Sequence, residues 1–249
     1  MPLLLGSVLA AGIGIATAPS VWAAPSNVVA QRIVVVGDLE HGTFFGSDSP
    51  YAGQGGFDDD VDEYLGGTHE YPGYPDFTTR ELVTSAQRSY IDSAAGIFEG
   101  NGQVGMGFSL VDADLAFALS SIEVTFELAS AHEYSLSGVL GAYMDGGLGL
   151  ASVRLVGPTS FSFEQQGWGS MNLAESGILA AGSYFLSIST LIQPQCEPSE
   201  CTAFSWMGGA SSFETSFEVT PVPEPATHVM LLAGLSLVGI AAHRRRPRL

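Results

Sequence analysis

The stretch Ser121-Ile122-Glu123-Val124-Thr125-Phe126-Glu127-Leu128 decides the fold class. Apolar side chains fall at every second position with Ser, Glu and Thr between them, the period of a strand with one face buried and one wet. Phe213-Thr215-Phe217-Val219 and Tyr184-Leu186-Ile188 repeat the alternation. Ala151 to Val156 and Phe161 to Phe163 are shorter runs of the same kind, divided by the turn pair Gly157-Pro158. Gln31 to Val36 and Gly105 to Val111 are further strand segments. About seven or eight short strands punctuated by Gly, Ser and Pro predict an all-β chain, an antiparallel β-sandwich of jelly-roll-like form. Outside the two termini no long window carries a 3.6-residue period.

Composition bounds the partners. The chain of 249 residues has 26 acidic side chains against 8 arginines and no lysine, and four of those arginines stand in the last six positions. Upstream of the tail 25 acids face 4 arginines, a net charge of −21. Phosphate backbones need a basic face, so nucleic acid is excluded as a partner, and so is a polybasic contact with a membrane surface. With 46% hydrophobic residues the chain has far more apolar side chains than a disordered acidic chain, and a packed core is expected. The length suits one exported domain, residues 24–220.

The ends say where that domain goes. Leu3 to Ala18 is almost unbroken apolar and small, about 16 residues against the ~20 that a spanning helix needs. Pro19 and Ser20 break the run, and Val21-Trp22-Ala23 puts small residues at the −3 and −1 places. Residues 1–23 are therefore expected to be a signal peptide removed by signal peptidase after Ala23, although no Lys or Arg precedes the apolar run. At the other end Val222-Pro223-Glu224-Pro225 leads into an apolar segment, residues 229–242, and then a basic end at Arg244, Arg245, Arg246 and Arg248. The prolines keep a strand from running into the helix. The apolar segment is short for a span, and the arginines hold its end on the cytoplasmic side. An inner-membrane intermediate through this C-terminal transmembrane helix is the expectation.

Residues 221–249 closely resemble the PEP-CTERM sorting signal of bacteria that carry an exosortase. The parts that carry the resemblance are the Val-Pro-Glu-Pro motif, the short apolar helix and the basic end, in that order. It implies recognition by exosortase, cleavage near Pro223-Glu224-Pro225, and release or attachment at the cell surface. The same tail also goes by the name of an ice-binding protein C-terminus, a label that concerns the tail and says nothing of ice. The stretch from about Ser121 to Thr220, with Leu179 to Leu186 at its centre, is similar to the β domain that precedes this tail in other PEP-CTERM proteins.

Within the domain, residues 38–81 are rich in Gly, Asp, Tyr and Pro with little alternation, and are expected to form a long acidic loop. Asp58, Asp59, Asp60, Asp62 and Glu63 fall within six positions there. Hard carboxylate oxygens so concentrated suit calcium, although neither the glycine nor the terminal glutamate of an EF-hand is in place. The competing reading is a solvated acidic surface. Gly100-Asn101-Gly102-Gln103-Val104-Gly105 spells the dinucleotide string, but a strand segment follows it where a helix must, so a glycine-rich turn is expected. His41, His69 and His132 sit in no metal motif, no nucleophile elbow is present, and acid pairs such as Asp112 and Asp114 are what any acidic β protein offers. No catalytic residue is assigned. Tyr71, Tyr74 and Phe77, with Trp168 and Trp206, are the aromatics suited to stacking on sugars, or simply to closing the ends of a sandwich. Cys196 and Cys201, alone in an exported chain, are expected to form a disulfide. Two functions follow: a noncatalytic surface or extracellular-matrix protein, and a secreted carbohydrate-binding or carbohydrate-active protein with extracellular polysaccharide as partner.

Overall fold

The structure is a computed structural model that describes residues 23–38, 43–51, 54–65, 68–71, 74–78, 81–110, 116–145, 147–194, 206–222 and 232–238. The described residues form fourteen strands. They are β1 (Ser26–Asp38), β2 (Thr43–Tyr51), β3 (Gln54–Leu65), β4 (Thr68–Tyr71), β5 (Tyr74–Thr78), β6 (Glu81–Asp92) and β7 (Ile97–Leu110). There follow β8 (Ala116–Leu128), β9 (His132–Asp145), β10 (Gly147–Val156), β11 (Phe161–Gln166), β12 (Gly169–Leu179), β13 (Gly182–Pro194) and β14 (Trp206–Pro221). Two six-stranded antiparallel sheets result, in the orders β11-β10-β13-β8-β1-β2 and β12-β9-β14-β7-β6-β3, with β4 and β5 a separate hairpin. The sheets face each other, β13 and β10 over β14, β8 over β6 and β7, β1 over β3 and β6. From β7 onward every connection except the β10–β11 hairpin crosses between the sheets.

The alternation at residues 121–128 lies in β8, near the middle of the first sheet, where Ile122 stands opposite Arg32 of β1 and Ile188 of β13. Ile122, Val124, Phe126 and Leu128 are buried, because a strand flanked on both sides and covered by a second sheet turns this face wholly inward. Phe126 stacks on Phe98 and on Tyr184, each with ring centroids 5.4 Å apart, and lies 6.4 Å from Phe217. Tyr134 and Phe161 continue this aromatic seam beside Phe217. Burial pushes the Tyr134 phenol above its ordinary pKa, and the Glu175 carboxylate adds to the rise.

A second apolar cluster, including Val36, Val83, Met106 and Ile192, fills the other end of the interior. The strand positions between the clusters are polar: Ser85, Gln87, Ser120, Thr190 and Ser211 are all buried. Ser85, Gln87 and Ser120 bond across the sandwich, while Ser211 donates within its own sheet to the Gly141 carbonyl. Ser85 donates to the Leu119 carbonyl at 2.8 Å, and Gln87 Nε2 donates to the Ser121 carbonyl at 2.7 Å and to Ser120 Oγ at 3.2 Å. Arg32, buried on β1, reaches the opposite sheet, donating to Ser89 Oγ and to the Gly55 carbonyl, each at 3.0 Å. Buried donors of this kind require partners, so these bonds hold the sheets in one relative position.

Two expectations are corrected. Residues 54–65 are not part of a loop: they form β3, the edge of the second sheet, paired in register with β6 from Gln54 opposite Asp92 to Leu65 opposite Glu81. Residues 43–51, 68–71 and 74–78 are strand as well. The alternation was hidden because an edge strand is only half covered, so its inner positions Asp59 and Glu63 tolerate charge. Nor is Gly100 to Gly105 a turn. It lies inside β7, and a Cβ on Gly102 would stand 2.4 Å from the Phe213 ring, one on Gly100 2.1 Å from Ile122 Cδ1. These glycines make room for the neighbouring core side chains.

Candidate functional site

The outer face of the second sheet carries an open groove of about 550 Å³ that crosses β6, β7, β14 and β9. Its floor is the backbone row Ser89, Gly100, Thr215 and Gly138, consecutive partners across the four strands. Gly138 has φ +145°, and a Cβ there would lie 2.0 Å from the Glu214 carbonyl oxygen. That close approach of β9 to β14 needs glycine. Strand alternation then sends the residues on either side of the floor outward, in two rows. One is Arg88, Asn101, Glu214 and Val139, the other Tyr90, Glu99, Ser216 and Ser137.

The rows offer one aromatic face, Tyr90, which is 47% exposed, and a dense set of hydrogen-bonding groups. Ser216 Oγ donates to Glu99 Oε1 at 3.4 Å. Arg88 is engaged with β3, its Nε and Nη2 both donating to Asp58 Oδ2 at 3.1 and 2.8 Å. Both side chains of that ion pair are solvent-exposed, so it orders the rim more than it stabilises the fold. The carboxylates of Glu99 and Glu214 leave the groove acidic. No lining residue reads in the sequence as a binding residue, Gly100 and Asn101 reading as part of a turn and Thr215 as part of a strand; the signal is the outward half of the alternation in β6, β7 and β14, visible once the inward half is assigned.

The expected acidic cluster divides. Asp58, Asp60 and Asp62 are exposed on one face of β3, in register with Arg88, Ala86 and Thr84, while Asp59 and Glu63 fall on the other face. Among the described residues no group of three or more His, Cys, Asp and Glu side chains is placed to hold a metal ion. The strand geometry thus puts three of the acids on one face of β3 and two on the other. Trp168 sits in the β11–β12 turn, 62% exposed, edge-on to Tyr143 with centroids 3.8 Å apart. Tyr71, Tyr74 and Phe77 are in the β4–β5 hairpin and Trp206 begins β14.

Ala23 and Val222, expected to border the two cleavage points, lie at another corner. Ala23 is the first described residue, and its carbonyl lies 2.8 Å from Nε2 of the buried His132. Val222 follows β14, its N–H donating to the Ala131 carbonyl at 3.2 Å. Pro223, Glu224, Pro225, Arg244, Arg245, Arg246, Arg248, Cys196 and Cys201 lie outside the described residues, as do Asp112 and Asp114. Of the expected tail helix, residues 232–238 are described and helical. Among the described residues no helix is long and apolar enough to cross a membrane.

Residues 221–246 match the family model of the PEP-CTERM protein-sorting motif. The motif implies an exported protein. No curated protein matches the chain. Among solved structures, TmCBM61 in complex with beta-1,4-galactotriose is 10% identical over 53% of this chain and 86% of its own, with a TM-score of 0.21. The infectious bursal disease virus Gx strain is 11% identical over 80% of this chain and 62% of its own, with a TM-score of 0.19. At such TM-scores neither likeness bears on fold or ligand.

Proposed function

We propose that this chain is a noncatalytic protein of the cell surface or extracellular matrix, processed by exosortase at Pro223-Glu224-Pro225 and displayed as a β-sandwich. The observation that carries the reading is the position of the matched motif, which begins at Pro221, the last residue of β14. Among the described residues Val222 is the last tied to the sandwich by a backbone hydrogen bond, and Pro223 follows it directly in the chain. Intact mass of surface or secreted material will lack everything C-terminal of the Pro223 to Ala226 stretch. Full-length chain ending in Leu249 in the medium defeats the proposal. The Cys196–Cys201 disulfide belongs to the same reading, in the crossing from β13 to β14, and would resist alkylation until reductant is added, in the same mass measurement.

A second reading, a carbohydrate-binding role, is favoured by the groove. Tyr90 is placed to stack on a sugar ring, and Asn101, Glu99, Glu214 and Ser216 to bond its hydroxyls. The acidic lining and the charge of −21 upstream of the tail repel polyanions, which makes a neutral polysaccharide the fitting ligand. Affinity electrophoresis of the secreted protein in neutral polysaccharide gels should show retardation that Tyr90→Ala weakens by about tenfold in Kd, as stacking on one ring is worth ~1–1.5 kcal/mol. Equal mobility with and without polysaccharide removes this reading and leaves the first untouched.

A further inference from the structure

We propose that the buried ring of His132 is the seat of the mature chain's own α-ammonium group, which arrives there when the signal segment is cut after Ala23. The proposal rests on that cleavage site. His132 opens β9 with no exposed surface, its Nδ1 2.9 Å from the Ser130 carbonyl oxygen and its Nε2 2.8 Å from that of Ala23. Carbonyl oxygens only accept, and a neutral imidazole carries one N–H. With Ala23 in place, both contacts are hydrogen bonds only if both ring nitrogens carry protons; otherwise a ring lone pair faces a carbonyl lone pair.

Cleavage removes the mismatch. Hydrolysis of the Ala23–Ala24 peptide bond takes up one water, and the new carboxylate leaves on Ala23 with the signal segment. Ala24 is left with an ammonium group. Its nitrogen stands about 2.3 Å from the position of the departed oxygen by standard peptide dimensions. A small rotation therefore directs one of its N–H groups at Nε2, while Nδ1–H donates to Ser130. An acceptor is thereby exchanged for a donor, and both ring nitrogens of His132 are matched. Pro25, buried beside the β6–β7 turn at Gly96, fixes the chain behind Ala24. The same corner holds Val219 through its N–H to the Gly96 carbonyl at 2.8 Å, and Val222 through Ala131. The end made by the first cleavage is thus held beside the point where the sorting motif begins.

The absence of lysine makes the seat directly measurable, because the α-amine is the one aliphatic amine of the mature protein. The secreted protein from its host is treated with an amine-acylating ester at fixed pH, native and in urea, and labelling is followed by intact mass. A seated amine reacts at least about tenfold more slowly in the native protein, since reaction waits on local opening. His132→Leu abolishes the protection while His132→Gln, which keeps an acceptor, retains part of it. Should His132→Leu fail to fold, insertion of Gly between Ala23 and Ala24 decides instead, since the extra residue carries the amine past the ring and restores full reactivity. A mature chain starting anywhere but Ala24 overturns the cleavage site and the proposal with it. A chain that starts at Ala24 with an amine as reactive native as unfolded, or equally protected in His132→Leu, overturns the seat alone.

Discussion

Gly138→Ala will lower the thermal midpoint of the secreted protein by about 10 °C, a loss near 3 kcal/mol for a domain of this size. The added methyl meets backbone, not a flexible side chain: 2.0 Å to the Glu214 carbonyl oxygen and 2.8 Å to Thr215 Cα. The φ of +145° is itself one that a Cβ disfavours, so the strain cannot be relieved locally. Relief requires β9 to move off β14, and β14 is paired along its length with both β9 and β7. Circular dichroism melts of wild type and variant measure this, and midpoints within about 2 °C of each other would show that β9 can shift freely.

Phe126→Ala is the second large effect, about 3–5 kcal/mol, from lost burial plus the cavity left among rings that cannot collapse. Phe126 is 1% exposed and touches Phe98, Tyr184 and Phe217, residues from three other strands and both sheets. Val29→Ala on the outer face of β1, where the side chain is 54% exposed, is the matched control and will change stability by less than about 0.5 kcal/mol. Urea titrations give both values. A Phe126→Ala loss no larger than that of the control would mean that the aromatic seam is not the core it is taken for.

The strands most legible in the sequence were those whose inward positions are nearly all apolar and whose neighbours cover them on both sides. Ile122 to Leu128, and Phe213 to Val219 apart from the inward Thr215, lie in β8 and β14, central strands of the two sheets. β9 was not legible because Gly138 interrupts its apolar set, and β6 because Ser85, Gln87 and Ser89 stand at inward positions. Those polar residues are answered from the opposite sheet, by Leu119, Ser120, Ser121 and Arg32, and no local window contains both halves of such a pair. β3 was taken for a loop because charge on an edge strand imitates charge in a loop. The groove follows the same logic. Glu214 is remote in the chain from Tyr90, Glu99 and Asn101, and only the register of β6, β7 and β14 makes the four neighbours.

The place of β14 has a mechanical consequence. The tail leaves the body from the end of a strand that lies inside its sheet, with β9 on one side and β7 on the other. A pull through the tail, resisted by anything held on the groove, runs along the strand axis and across both ladders of transverse hydrogen bonds. The bonds of both ladders then share the force in shear, instead of parting one at a time as they would if an edge strand were peeled away. A load on the tail would therefore fall on a strand paired on both sides.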